Sequence, residues 1–115
     1  ALFFNGNICN WDISNVTNMQ CMFYSASSFN QNLRSWDVSS VTTMVGMFYK
    51  ALFFNQNLSK WDLSKVTDMS AMFGSAIAFN QNLSSWDVSS VTRNYLFKKN
   101  TPAWNLPKPN FNNLK

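Results

Sequence analysis

The sequence predicts an α/β solenoid of short parallel strands and short helices, and three observations carry that prediction. The first is a 25-residue period kept without insertions. Trp11, Trp36, Trp61 and Trp86 each open a W-D-(I/V/L)-S segment, followed five positions on by Val16, Val41, Val66 and Val91 and then by Thr17, Thr42, Thr67 and Thr92. The second is an F-N-x-N-(I/L) block at Phe4, Phe29, Phe54 and Phe79. The third is a change of apolar spacing within each unit, from alternation to steps of three and four. A period of this length marks an array of stacked units, each burying its apolar face against the next.

One unit, residues 30–54, shows the reasoning. Asn30-Gln31-Asn32 is turn chemistry, because Asn tolerates left-handed backbone and bonds its own main chain. Leu33 then points inward. Trp36-Asp37-Val38 alternates apolar and polar, which predicts a short strand. Ser39-Ser40 offers a turn and a helix N-cap. Val41, Met44, Phe48 and Ala51 follow at helical spacing, with Met47 widening the face. Stacked at strand spacing, about 4.8 Å apart, such units give a parallel sheet on one side and helices on the other.

The chain divides at Thr92. Residues 1–92 hold four repeats, about four coils of the array, and residues 93–115 read as a degenerate last repeat and basic cap. There Asn94 replaces the first Met, Lys98-Lys99 follow Phe97, and Pro107 and Pro109 oppose further strand pairing. The opening A-L-F-F-N recurs at Ala51 to Asn55, so the sequence starts late in a repeat. That predicts a piece of a longer array with its targeting signal elsewhere, and self-association through an exposed N-terminal coil is a further option.

Composition narrows the chemistry. The chain has 115 residues, 17% aromatic and only 12% charged, with eleven Phe and five Trp to fill a core. Glu and His are absent, which removes the commonest general base and the commonest metal ligand, so no enzyme and no cofactor are expected. The net charge of +4 is uneven: residues 93–115 carry five cations and no acid, whereas residues 1–92 hold four cations against five Asp. The basic end reads first as a solvated cap. Without basic and aromatic residues alternating on one face, nucleic acid is not an expected partner. No segment is apolar enough to insert in a membrane. Cys9 and Cys21 fall at unlike repeat positions, Cys9 where polar residues stand and Cys21 where Gly46 and Ala71 stand. No disulfide is expected, and Cys21 should be packed.

These residues resemble the BspA-like bacterial surface-protein repeat, a relative of the leucine-rich repeats. Its motif, close to F-N-Q-N-L-S-S-W-D-V-S-S-V-T-x-M-x-x-M-F, is matched by Phe79 to Thr92 and by Val66 to Phe73. The resemblance covers residues 1–92 and implies a leucine-rich-repeat-like fold. It implies a surface or secreted protein, often a lipoprotein, that works in adhesion or contacts host proteins. It brings no catalytic residues.

The repeated columns have two readings each. The Trp column is expected in the core rather than as a carbohydrate platform. The Met pairs (Met19/Met22, Met44/Met47, Met69/Met72) read as core before they read as an adaptable binding stripe. The Asn columns read as turn chemistry, and the glycosylation sequons at Asn15, Asn57 and Asn82 recur because the repeat recurs. Asp12, Asp37, Asp62 and Asp87 would stack like charges on one face. Either a cation such as Ca²⁺ or a basic partner offsets them, or each accepts hydrogen bonds from its own turn, for example from Ser39 and Thr42.

Binding, if any, belongs to positions that differ between copies. Tyr24, Tyr49, Leu52, Phe53 and Lys99 form the candidate contact set, with Leu2, Phe3 and Ile77 adding apolar area beside it. The expected function is therefore a non-enzymatic adhesion or protein-binding module on a bacterial surface. The alternative is a structural spacer with no specific ligand.

Overall fold

In each repeat the segment that follows the Val-Thr pair folds as a run of tight turns, and this decides the architecture. The computed structural model describes residue 8 and residues 11–111. Among them there is no helix and no strand; the only ladder contacts are isolated parallel bridges, Asn18 to Thr43, Thr43 to Asp68 and Asp68 to Arg93. The predicted α/β solenoid of strands and helices is therefore overturned. Trp36-Asp37-Val38 forms no strand, and the one parallel pairing falls instead at the head of the predicted helix.

The backbone shows why. In the second repeat the amides of Met47, Tyr49 and Ala51 donate to carbonyls three residues back, on Met44, Gly46 and Phe48. The alternate amides of Met44, Gly46, Phe48 and Lys50 donate out of the repeat, to the carbonyls of Asp68, Ser70, Met72 and Gly74. A helix would need every amide to bond four residues back. Here half the amides serve the neighbouring repeat, so the segment satisfies its main chain without nucleating a helix, which is costly in a stretch this short.

Two left-handed residues per repeat make this path possible. Gly46 (φ 63°) and Lys50 (φ 59°) sit third in the turns 44–47 and 48–51, the position where a type II turn requires positive φ. The same two places are left-handed in the other repeats: Cys21 and Ser25, Ala71 and Ser75, Leu96 and Asn100. Only one of these eight residues is glycine, so the sequence carries little sign of the turns.

Stacking places like residues above one another. Phe23, Phe48 and Phe73 form a column with ring centroids 5.6 and 5.5 Å apart, and Phe29, Phe54 and Phe79 form a second at 5.9 Å steps. Rings of the two columns meet at 4.1 to 4.2 Å. Leu33, Leu58 and Leu83, Val41, Val66 and Val91, and Met19, Met44, Met47, Met69 and Met72 complete the core; Val16 and Met22 are half-buried against it.

Trp36, Trp61 and Trp86 are buried, as the core reading requires, and each indole N–H donates to a carbonyl 28 residues earlier. Trp11 departs from this: it is 54% exposed. Residues 93–104 stay in register. Trp104 is buried and its indole donates to the Gln81 carbonyl, while Phe111 packs edge-on against Phe97. Leu2, Phe3, Phe4, Asn5, Asn7, Cys9 and Lys115 lie outside the described residues.

Candidate functional site

The repeated polar residues hold the turns. Asn30 Oδ1 accepts the Asn55 amide at 2.9 Å and the Gln56 side-chain amide at 3.0 Å. Asn55 does the same for Asn80 and Gln81, and Asn80 accepts from Asn105, so one asparagine ladder crosses the repeats. Asn32, Asn57 and Asn82 each accept the amide two residues on. This is the local bonding expected of asparagine in turns.

The Asp column works the same way. Asp12, Asp37, Asp62 and Asp87 each accept the backbone amide of the serine two residues on, at 3.0 to 3.1 Å. The hydroxyls of Ser14 and Ser39 add bonds of 2.7 and 2.5 Å. Serine hydroxyl bonds, and the serine amide first at Asp62, hold these carboxyls below the usual carboxylate range. Repulsion from Asp37 and Asp87 acts the other way on Asp62, but loses to the hydrogen bonds. Thr42 is not a partner; its hydroxyl donates to the Thr17 carbonyl in the preceding repeat. Among the described residues, no group of three or more His, Cys, Asp or Glu is placed to hold a metal ion.

The candidate contact set is partly brought together. Tyr24 and Tyr49 stack with centroids 5.1 Å apart and planes 23° off parallel, Tyr24 exposed and Tyr49 half-buried. Lys50 Nζ lies 5.5 Å from the Tyr49 ring centre. In the next repeat the column meets Gly74, and a Cβ there would come within 2.7 and 2.9 Å of two Tyr49 ring atoms. Glycine makes room for the ring. Leu52 and Ile77, equivalent positions in adjacent repeats, are exposed, and Phe53 is 63% exposed. The Ala78 amide donates to the Leu52 carbonyl and ties the two repeats together beside them.

Lys99 does not join the tyrosines. Gly74 separates it from Tyr49 along the column, and it lines a 290 Å³ recess with Asn94, Leu96, Phe97, Lys98 and Phe111. Tyr95 and Leu96, the second a lining residue of that recess, are absent from the predicted set and are 72% and 57% exposed. Their signal was available: they replace Val45-Gly46 and Ser70-Ala71 of the inner repeats. Cys21, expected to be packed, is exposed with a free thiol. A second recess, of 330 Å³, is lined by Asn32, Arg34, Ser35 and Lys60. No helix of the described residues is long and apolar enough to cross a membrane.

No curated protein and no solved structure matches the chain. A family model does, over residues 1–110, and its description is "Mycoplasma protein of unknown function". With the match spanning nearly the whole sequence, the chain belongs to this repeat family, DUF285.

Proposed function

We propose that this chain is a non-enzymatic interaction module of a bacterial cell-surface protein or lipoprotein, displayed or secreted, with adhesion to a host protein as its role. The observation that carries the reading is the tyrosine stack with exposed Leu52, Phe53 and Ile77 nearby along the chain. Among the described residues, the Asn ladder, the Asp column and the indoles of Trp36, Trp61 and Trp86 are occupied by turns and by the neighbouring repeat. What differs between copies is then free to face a partner, and stacked tyrosines offer broad, rigid contact area at little entropic cost. The likeness of the motif to BspA-like surface repeats points the same way.

The test is binding of the purified chain to immobilised host extracellular-matrix proteins and to whole host cells. Tyr24→Ser/Tyr49→Ser and Phe53→Ser are compared with the unaltered chain after thermal melting shows the fold intact. Saturable binding that weakens about tenfold or more in these variants supports the reading. Absence of binding, or binding indifferent to all three side chains, returns the chain to the alternative role of a spacer.

A further inference from the structure

The out-pointing amides of each repeat form a comb, and three times in the molecule the next repeat fills it. Met19, Cys21, Phe23 and Ser25 donate to the carbonyls of Thr43, Val45, Met47 and Tyr49; the combs starting at Met44 and Met69 are filled in the same way by the third and fourth repeats. The fourth comb is Asn94, Leu96, Lys98 and Asn100. Among the described residues these four amides meet no backbone acceptor. The carbonyls of Asn94 and Leu96 are turned inward to close turns onto Phe97 and Lys99. Among the described residues this edge therefore presents donors, two of them on left-handed residues, a backbone arrangement that attracts acceptors and negative charge.

Side chains on the same edge change character. Lys98 stands where Phe48 and Phe73 fill the core, and Asn94 stands where Met44 and Met69 do. Lys98 and Lys99 are exposed, Arg93 begins the segment, and no acid lies anywhere in residues 93–115. Trp104 and Phe111 shield the other half of the repeat by packing on Phe97. The donor comb is thus kept while its apolar complement is replaced by cations.

That combination selects among occupants. A second copy stacking its own repeat here would bury Lys98 and Asn94 against its Met and Phe columns, leaving a charge unpaired in an apolar contact. A single small anion cannot span four donors set on alternate residues over 94–100. A polypeptide can: the first comb is filled by carbonyls on alternate residues of one chain, Thr43, Val45, Met47 and Tyr49, while the amides of Met47 and Tyr49 turn back onto Met44 and Gly46. We propose that the 94–100 edge binds an acidic peptide segment of a partner protein. The comb takes the peptide's carbonyls, Arg93, Lys98 and Lys99 face its carboxylates, and the recess beside Phe111 accepts a side chain. This surface is separate from the tyrosine stack and rests on none of its residues.

The experiment is a titration of the ¹⁵N-labelled chain with a capped peptide of alternating Glu and Ser, and in parallel with free glutamate at the same carboxylate concentration. The amide signals of Asn94, Leu96, Lys98 and Asn100 should shift with the peptide, with affinity falling as salt rises. Lys98→Glu/Lys99→Glu should weaken binding about tenfold or more, while Arg34→Glu/Lys60→Glu, in the other basic recess, should leave it unchanged. All four lysine and arginine positions are exposed, so the fold persists, and unchanged core methyl spectra verify it. The proposal is overturned if those four amides do not move, if free glutamate moves them equally, or if the Arg34/Lys60 variant loses as much binding.

Discussion

Trp61 donates its indole N–H to the carbonyl of Leu33, 3.0 Å away and one repeat back, and the same carbonyl also accepts the Trp36 amide at 3.0 Å. One oxygen thus closes its own turn and anchors the next repeat. Leu58 repeats the arrangement with Trp61 and Trp86. Trp61→Phe keeps most of the packing and removes one bond, so it should cost about 1 kcal/mol. Trp61→Ala should cost about 3–5 kcal/mol by leaving a cavity. Trp11→Ala, at an exposed site, should cost less than about 1 kcal/mol. Urea unfolding of the three variants checks the order.

The asparagine ladder should be worth a comparable amount per rung. Asn55→Ala removes the acceptor for the Asn80 amide and the Gln81 side chain, and should destabilise by about 1 kcal/mol. Asn55→Asp keeps the oxygen and should lose less, as denaturant melts would show.

Acid should act through the Asp column. Carboxyls held below their unfolded value contribute stability that is fully present above that value and is lost as pH falls through the folded ones. Melting temperature should therefore decline below about pH 4. Replacing all four with Asn should flatten that decline, because Asn82 already makes the same bonds to Ser84 without charge. A decline of unchanged steepness in the Asn variant would assign the acid sensitivity elsewhere.

Ala71 holds φ 56° where Gly46 holds 63°. Left-handed backbone costs a side-chain-bearing residue about 1 kcal/mol, so Ala71→Gly should stabilise the chain by up to about that amount. Gly74→Ala should do the opposite locally, pushing the Tyr49 ring off its place and lowering tyrosine stacking in near-ultraviolet circular dichroism.

The repeat and its inward set were legible because they depend on side-chain identity: Leu33, Trp36, Val41, Met44 and Phe48 are all buried as the pattern requires. The backbone between them was not. Val41, Met44, Phe48 and Ala51 have helical spacing, yet a chain of turns brings the same residues inward once alternate amides bond the neighbouring repeat. Left-handed φ at Cys21, Lys50, Ala71 and Leu96 leaves no mark in the sequence, since tertiary bonding rather than residue type imposes it. The tyrosine pair was legible as variation at one position of an otherwise regular repeat. The donor edge at 94–100 was not, because a row of amides without a backbone acceptor among the described residues belongs to the main chain and to the stacking direction.

Amide hydrogen exchange, resolved residue by residue, tests the central claim that turns donating alternately within and between repeats build this protein. Met44, Gly46, Phe48 and Lys50 should be strongly protected, while Asn94, Leu96, Lys98 and Asn100, at the same repeat positions, exchange quickly. Equal protection of the two sets, or continuous protection along residues 45–51 and 95–101 with helical carbonyl shifts, would contradict it.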